Sequence, residues 1–358
     1  MESNTEYQKA WRRFRRNRPA LAGLWFVAAA VFVAVFGYVL APDSTPDANT
    51  QIPEIALQPP GYQASVLQVR LVGYTEDTPI WAHWLHGSVA AFKPIAVLPE
   101  SLRWSADSVH FQYAGNNIRT GSLAKTPLAN QPLATRYYLL GTDKYGRCIW
   151  SRLLLGFRVS LTVGLISVVI SLSIGVFLGA LGGYFGGRVD DAVMLLVNTV
   201  WSIPTLLLVF AVVLALGRGI GIIFLAVGLT MWVDVARVVR GQVLTIRQLA
   251  YIEAAKSMGM GDARILIRHV LPNLLGPVMV VTAGNFATAI LIESGLSYLG
   301  FGVQPPTPSW GTMLNEHYGY ALGGKPLLAL APALAIAVTV LAFNLVGNGL
   351  RDALDVKN

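Results

Sequence analysis

Six long stretches of apolar, uncharged residues, separated by polar segments, dominate the pattern of the chain. They cover residues 20–41, 159–187, 192–217, 219–233, 270–292 and 326–350. About 20 consecutive apolar residues form a helix long enough to cross the hydrocarbon core of a bilayer. The fourth stretch is shorter because Asp234 follows it, and we expect its helix to continue through Ala236. The pattern predicts an all-α polytopic membrane protein with six transmembrane helices.

The composition agrees with a lipid bilayer as the surroundings of the chain. Hydrophobic residues make up 54% of the sequence and charged residues 13%, whereas soluble domains carry about 25% charged residues. The net charge of +8 does not form a basic stripe with interleaved aromatics, so we predict no nucleic-acid partner. Cys148 is the single cysteine, which excludes an internal disulfide. His83 and His86 have no carboxylate neighbours, and we interpret them as a surface pair rather than a metal site.

Clustered basic residues predict the orientation of the chain. "KAWRRFRRNRP" precedes the first apolar stretch, and this arrangement also describes a secretory signal. The stretch of 22 residues is long for a signal, and Pro42 follows the only plausible cleavage point, so we interpret it as a retained helix. Six spans place both termini on one side, together with the basic loop 237–272. Because positive loops are cytoplasmic, we predict a multi-pass protein of the cytoplasmic (inner) membrane with both termini in the cytoplasm.

The segment between the first two spans is long and mixed in character. Residues 42–140 contain short apolar patches bounded by turn residues, which indicate a small mixed domain rather than disorder. The predicted organisation is a basic N-terminus with the first helix (1–41), an extracytoplasmic insert (42–140), and a transmembrane domain (141–358) with the cytoplasmic loop 237–272.

Motifs for catalysis are absent from the sequence. It contains no phosphate-binding loop, no His-Glu-x-x-His and no Gly-x-Ser-x-Gly, so we predict that the chain is not an enzyme and hydrolyses no ATP. Asn285, Glu293 and Asn344 are polar positions within or beside the apolar stretches. They are candidates for lining a translocation path, or they form structural contacts between helices. So few carboxylates argue against a proton relay and for energy supplied from outside the chain.

Four glycines recur every four residues in the second span. Gly175, Gly179, Gly183 and Gly187 fall along one slowly drifting helix face, which permits close approach of a neighbouring backbone. The contact is either a mobile seam between moving helices or tight static packing.

The polar segment before the fifth span predicts two short helices around a glycine elbow. The first carries apolar residues at helical spacing, namely Ile246, Leu249 and Ile252. Gly259 and Gly261 allow a bend, and Asp262 is placed to cap a second helix. That second helix has the apolar residues Ala263, Leu266, Ile267, Val270 and Leu271, and Pro272 then permits a change of direction. From the residues alone, the elbow is either a docking knob or a connector lying on anionic lipid.

The sequence of the elbow resembles a known family motif. The matching positions are Glu253, Ala254, Ala255, Gly259, Leu271 and Pro272, which correspond to the "EAA" motif in permeases of binding-protein-dependent ABC importers. "GTDKYGR", "ESGLSYLGFGVQPPTPSWGTML" and "LAFNLVGNGLRDALD" further resemble the C-type permeases of the oligopeptide, dipeptide and nickel subfamily. Cys148 departs from this pattern, which usually has Asp there. The insert 42–140 has no counterpart that we can match.

The resemblance implies the type I ABC importer permease fold and a transport role. The elbow would be the coupling helix that sits in a cleft of a cytoplasmic ATPase, through Glu253, Ala254, Ala255, Lys256, Gly259, Gly261, Leu271 and Pro272. The implied partners are a homologous second permease, two ATPase subunits and an extracytoplasmic solute-binding protein. ATP and Mg²⁺ would be used by the partner ATPases, with no cofactor bound by this chain. The implied substrates are di- and oligopeptides, with nickel or another small solute as the alternative. A polytopic receptor or membrane-anchored enzyme would not need a docking elbow.

Overall fold

A computed structural model describes residues 6–70, 81, 83–84, 87–88, 92–105, 108–114, 120–124 and 128–354. The chain divides into two compact units. The first unit comprises Met1–Val31, Ser160–Gln304 and Leu334–Asn358, and the second comprises Phe32–Val159 and Pro305–Ala333.

Helices account for most of the described residues. In chain order they are α1 (Glu6–Arg16), α2 (Arg18–Leu40), α3 (Ile149–Phe185), α4 (Gly187–Trp201), α5 (Thr205–Leu216), α6 (Ile220–Ile246), α7 (Ala250–Ser257), α8 (Asp262–Ile265), α9 (Leu275–Tyr298), α10 (Trp310–Leu322) and α11 (Leu327–Leu354). A π-helical turn (Leu266–Val270) and a 3₁₀ turn (Leu271–Leu274) join α8 to α9.

The helices long and apolar enough to cross a membrane match the predicted number of spans. Among the described residues they are Arg18–Leu40, Ile149–Phe185, Ile220–Ile246, Asp262–Tyr298 and Leu327–Leu354, and a bent pair makes a sixth. Several helices are longer than the apolar stretches that predicted them. Helix α6 continues beyond Asp234 to Ile246, because its polar end keeps a buried apolar face.

The predicted span 192–217 is a pair of helices with a sharp bend between them, which makes one broken span if the pair crosses the membrane as a unit. Helices α4 and α5 meet at an angle of 88° across Ser202–Pro204. Pro204 precedes α5 with ψ 126°, outside the helical region. A proline has no N–H and disfavours a helical conformation in the residue before it. The bend therefore follows from a single proline within an otherwise apolar run.

The glycine stripe of α3 packs directly on α6. A Cβ atom at Gly175 would lie 2.5 Å from the Cβ of Val235, and one at Gly179 would lie 2.5 Å from the Ala236 carbonyl oxygen. Gly183 approaches α6 in the same way, whereas Gly187 has a φ of +50° and nothing within 4 Å of its Cβ position. Three of the four glycines thus make a close-packed contact, and the fourth is the first residue of α4.

The described residues of the insert form two small antiparallel sheets. Its strands are β1 (Tyr62–Arg70), β2 (Phe92–Ala96), β3 (Arg103–Trp104), β4 (Ser108–Gln112), β5 (Thr120–Ala124) and β6 (Leu128–Tyr138). The strand orders are β2-β1-β6 and β3-β4-β5. Ala64 and Val66 pack in one apolar cluster, and Leu67 packs in another. Strand β1 therefore supplies both clusters, because successive side chains point to opposite faces.

Cys148 lies in the first of these clusters. It is 5% exposed and packs with Ile52, Ile55, Ala64 and Val66, among others. Burial raises the pKa of its thiol. The side chain serves as a small, largely apolar residue beneath the insert and is hydrogen-bonded to Ser151 at the start of α3.

Helix α10 is fixed at its first residue. Trp310 is fully buried, and its Nε1–H donates to the carbonyl oxygen of Leu153, 3.1 Å away. A Cβ at Gly156 would lie 2.5 Å from the indole ring, so the glycine leaves room for it. Ser309 and Thr312 form a reciprocal capping box that starts the helix.

Candidate coupling site

The first helix of the elbow is shorter than predicted. Ile246 closes α6, a turn follows, and α7 begins only at Ala250, after Leu249 in an extended conformation. Ile246 and Ile252 are both buried in the same apolar cluster, at 8% and 0% exposure. The turn allows both side chains to reach that cluster, whereas Leu249 is exposed.

Gly259 ends α7 in a Schellman motif. The N–H of Gly259 donates to the Lys256 carbonyl (2.9 Å), and the N–H of Met260 donates to the Ala255 carbonyl (3.1 Å). This pattern requires a left-handed residue after the helix, and Gly259 has a φ of +78°. No atom lies within 4 Å of its Cβ position. The predicted elbow therefore needs glycine here for backbone conformation, while the surrounding surface is open.

The inner face of α7 fastens the elbow to the ends of two long helices. Ile252 and Ala255 are buried in a cluster with residues of α3, α6 and the α8 segment, namely Ala180, Tyr184, Val235, Val239, Val243, Ile246, Ile265, Val270 and Leu274. Burying such side chains contributes about 1.5–3 kcal/mol for each large one. The elbow is therefore a firmly attached part of the first unit.

Polar contacts strengthen this attachment. The hydroxyl of Tyr184 donates to Asp262 Oδ1 at 2.7 Å, and the ammonium of Lys256 lies 5.2 Å from the centre of the Tyr184 ring. Arg247 donates to the carbonyl oxygens of Gly183 and Tyr184 at the end of α3. The prediction that Asp262 caps the second helix is wrong. Gly261 occupies the capping position with extended backbone, and Asp262 is the first helical residue, whose carboxylate accepts from Tyr184 instead.

The outer face of the elbow is exposed and combines small, charged and apolar groups. Glu253, Ala254 and Lys256 are exposed on α7, and Met258 is 70% exposed at its end. Of the two motif alanines, Ala255 packs inward at 2% exposure and Ala254 faces outward. The two alanines of the motif therefore differ in what they do. Ala255 packs the helix against the buried cluster, and Ala254 leaves an outer surface that a partner can approach closely.

The second predicted helix differs in register and direction. Ile265 and Val270 are buried and Leu271 packs against the cluster, whereas Ala263 and Ile267 are exposed. The π turn adds a residue to the repeat, so the regular i, i+3, i+4 prediction fails. Pro272 is exposed in the 3₁₀ turn. The chain stays helical through this proline, and Asp262–Tyr298 forms one long helical stretch.

The three polar candidates for the path have different surroundings. Asn285 is 7% exposed, and its Nδ2 has no hydrogen-bond partner among the described residues. Glu293 is fully buried, and the hydroxyl of Ser297 donates to its Oε1 at 2.7 Å. Ser297 Oγ in turn accepts from the N–H of Val303, so Glu293 supports the turn after α9. Asn344 is exposed on α11. These positions are not brought together into one cluster.

A buried charged cluster in the second unit was not predicted. Arg147 Nε donates to Asp143 Oδ2 (2.6 Å), and its Nη2 donates to Glu316 Oε2 (2.5 Å). Arg152 lies 3.9 Å from the same Glu316 oxygen. His317 is buried beside Asp143, and neither ring nitrogen has a hydrogen-bond partner among the described residues. The "GTDKYGR" motif contains Asp143 and Arg147, and it was the feature of the sequence that could have indicated this buried charged cluster.

The charges of this cluster do not suit a metal ion. Asp143, Glu316 and His317 have the donor atoms and proximity of a metal site. However, Arg147 already engages both carboxylates, and two guanidinium groups balance the two carboxylates. A divalent cation would add uncompensated positive charge in a buried place. The cluster is better described as a structural ion network. Of the histidine pair considered from the sequence, His86 lies outside the described residues.

Comparison with known proteins identifies the family. The family model described as "Binding-protein-dependent transport system inner membrane component" matches residues 171–357, more than half of the chain. The chain belongs to this family. A second model, described as the N-terminal transmembrane domain of oligopeptide transport permease C, matches residues 5–60. The family is that of inner-membrane components of binding-protein-dependent transport systems, and the match contains the whole elbow. Most of the insert falls between the two matched ranges.

Named relatives cover the same part of the chain. A glutathione transport system permease, GsiD of Pectobacterium atrosepticum, is 44% identical over 61% of this chain and 72% of its own length. The oligopeptide permease OppC and the dipeptide permease DppC of Bacillus subtilis are each 41% identical over 61% of this chain, covering 71% and 68% of their lengths. These relatives are transport permeases.

A solved structure shows a weaker similarity. A methionine ABC transporter, MetNI, in an inward-facing conformation is 20% identical and matches 56% of this chain and 96% of that chain, with a TM-score of 0.47. The family assignment does not depend on this similarity.

Proposed function

We propose that this chain is the permease subunit of an ATP-driven importer of di- and oligopeptides. The observation that carries the proposal is the elbow, whose inner face is fastened to α3 and α6 while its outer face is open. A force applied to the exposed side of α7 would be transmitted to the ends of two long helices, because the contact is packed and hydrogen-bonded. The chain itself performs no catalysis.

The proposed partners follow from this arrangement. Two ATPase subunits bind ATP and Mg²⁺, and one of them receives the elbow at Glu253, Ala254, Lys256, Met258 and Gly259. A homologous second permease completes the path, and an extracytoplasmic binding protein delivers the substrate. Closure of the ATPases rocks the attached helices between inward- and outward-facing states. The exposed Asn344 and the unpartnered amide of Asn285 are the proposed contacts along the path, with Glu293 positioning the turn after α9.

The proposed orientation has both termini and the elbow in the cytoplasm and the insert outside. A cysteine introduced at the exposed Glu100 of the insert should react with a membrane-impermeant maleimide on intact cells. A cysteine at Met258 should react only after the membrane is opened. The native Cys148 is buried and serves as the unreactive background. Labelling in the opposite order would overturn the orientation.

Peptides are favoured over nickel because the named relatives above are peptide and glutathione permeases. The direct experiment is uptake in proteoliposomes containing the whole complex, with a labelled dipeptide, a labelled oligopeptide or radioactive nickel. We expect uptake of a peptide that depends on ATP and on the binding protein. Nickel uptake without peptide uptake would replace the peptide assignment.

The substitution Gly259→Asp tests the coupling site in the same proteoliposomes. The carboxylate would lie on the open surface that the ATPase is proposed to occupy, and the residue would be strained at φ +78°. We expect ATP hydrolysis to be uncoupled from uptake, or the ATPase to be lost from the complex. Gly259→Ala shares the strain without the charge and should retain most uptake. Normal uptake with Gly259→Asp would contradict docking at the elbow.

A further inference from the structure

Helix α1 carries a dense set of exposed positive charges. Within eleven residues it has five exposed basic side chains, namely Lys9, Arg12, Arg13, Arg15 and Arg16, and one acidic residue, Glu6. Four of the five follow the i, i+3, i+4, i+7 spacing of a single helix face. A face of this kind attracts a negatively charged partner.

The helix is held in place rather than free. Phe14 is 3% exposed and packs against Ala20 and Ala353, at the start of α2 and the end of α11. The side-chain amide of Asn17 donates to Asp352 Oδ2 at 3.3 Å, and its oxygen accepts from the N–H of Ala20. Gly349 leaves space for Ala20 and for the ring of Phe14. One residue, Asn17, separates α1 from α2.

These contacts fix the position of α1 along the lengths of the two helices that it touches. From Leu327 to Leu350, α11 has no charged residue, and Arg351 and Asp352 are the first. Helix α2 is uncharged after Arg18. Both helices therefore pass from apolar to charged residues where Phe14 and Asn17 contact them. An eleven-residue helix is about 16 Å long, so all of α1 lies within that distance of the end of the apolar region.

An exposed aromatic ring accompanies the charges. Trp11 is 53% exposed and stacks on Phe14 with ring centroids 5.8 Å apart. Tryptophan beside basic residues is typical of helices that lie in the membrane interface. Clusters of Lys and Arg next to a spanning helix bind anionic lipid headgroups. The partner that fits this combination of charge, aromatic ring and position is a lipid surface.

We propose that α1 binds anionic phospholipid headgroups through Lys9, Arg12, Arg13, Arg15 and Arg16. Phe14 packs α1 against α11 and so keeps the bound lipid beside the end of that helix. The inference requires that α2 and α11 span the membrane. It does not depend on peptide transport or on which side the termini occupy.

The test measures which lipid contacts α1 in the full chain. The exposed Gln8 is replaced by cysteine and labelled with a fluorophore, with unlabelled Cys148 buried as in the native chain. The protein is placed in nanodiscs of equal parts phosphatidylglycerol and phosphatidylcholine, with a nitroxide quencher on one lipid or the other. We expect quenching by phosphatidylglycerol to exceed quenching by phosphatidylcholine several-fold, and the difference to shrink at high salt.

Two double variants remove the same number of positive charges. Comparing them separates a specific effect of α1 from a general effect of charge. Arg12→Gln with Arg13→Gln should reduce the preference for phosphatidylglycerol at least two-fold. Arg103→Gln with Arg188→Gln, at exposed basic positions outside α1, should leave it unchanged. Phe14→Ala should increase the mobility of the label and lower the preference, whereas Phe14→Leu should retain both.

Equal quenching by the two lipids in the native chain would overturn the proposal. It would also be overturned if Arg12→Gln with Arg13→Gln left the lipid preference intact and instead weakened retention of the ATPase subunits. That second result would assign the basic face to a protein partner.

Discussion

Two glycines with nearly the same backbone conformation lie in very different surroundings. Gly146, in the second unit, has a φ of +73°, and Gly259, in the elbow, has a φ of +78°. A Cβ at Gly146 would overlap the carbonyl oxygen of Ile52, whereas nothing lies within 4 Å of the same position at Gly259. The first glycine is locked by packing within its own unit. The second provides a turn and leaves its surface open, as a docking surface requires.

The largest expected difference comes from placing alanine at each of these glycines. Gly146→Ala combines left-handed strain of about 1–2 kcal/mol with overpacking of about 1–3 kcal/mol, so we expect a loss of about 4 kcal/mol. Gly259→Ala carries only the strain, about 1–2 kcal/mol. Thermal denaturation of the purified variants, followed by size-exclusion chromatography, measures both. Equal losses would mean that the two surroundings do not differ in the way described.

A carboxylate at position 148 should also have a large effect. Cys148→Asp would place a larger, charged side chain in a cluster that here is apolar and covered by the insert. Overpacking of this kind costs about 1–3 kcal/mol, and hydrogen bonds from Trp150 and Ser151 at the start of α3 offset part of the cost of burying the charge. Cys148→Ala is the matched control, since it removes the sulfur without adding charge, and we expect it to cost less. A Cys148→Asp variant as stable as the alanine variant would show that the insert cluster tolerates a carboxylate.

The sequence predicted more of the structure of the elbow than of the structure of the insert. Its motif residues, glycines and basic surroundings indicated a turn between helices and a coupling site. The sequence did not reveal that Ile246 and Ile252 share one cluster across a turn, or that a π turn shifts the register before Pro272. Both depend on contacts with α3 and α6, which lie far away in the sequence.

Less of the structure of the second unit could be predicted from the sequence. Turn residues and short apolar patches predicted a mixed segment at 42–140, and the described residues of that segment contain two antiparallel sheets. Neither the pairing of β1 with β2 and β6 nor the role of Cys148 could be read from spacing. The ion network joins Asp143 to Glu316 across 173 positions, by the difference of their residue numbers. No local pattern in the sequence predicts such a contact.

A smaller effect is expected from the buried histidine of the ion network. Burial lowers the pKa of His317, although Asp143 and Glu316 act in the opposite direction and Arg147 adds to the lowering. The folded protein therefore binds this proton less readily than the unfolded chain does. The contribution of His317 to the free energy of unfolding is fully present above its ordinary pKa of about 6.5. This contribution is lost as the pH falls below that value.

We expect His317→Gln to reduce the loss of thermal stability between neutral pH and pH about 5. His110→Gln, at an exposed position of the insert, is the matched control and should retain the native pH dependence. The denaturation temperature of the three proteins across this range measures the difference. Identical pH profiles for all three would contradict the assignment of acid sensitivity to His317.

The exposed end of the elbow should show the smallest effect on stability. Met258 is 70% exposed, and surface substitutions usually change the free energy of unfolding by less than about 0.5 kcal/mol. Met258 can therefore carry a photo-reactive amino acid without disturbing the fold. Glu100, exposed on the insert, is the matched position in the other region.

Photo-cross-linking of these two positions in the assembled complex tests the central claim most directly. A photo-reactive residue at Met258 should cross-link to the ATPase subunit, and the yield should change when ATP is added. The same residue at Glu100 should give no ATPase product. If Met258 cross-links only to lipid, or if Glu100 captures the ATPase equally well, the elbow is not the surface that receives the ATPase.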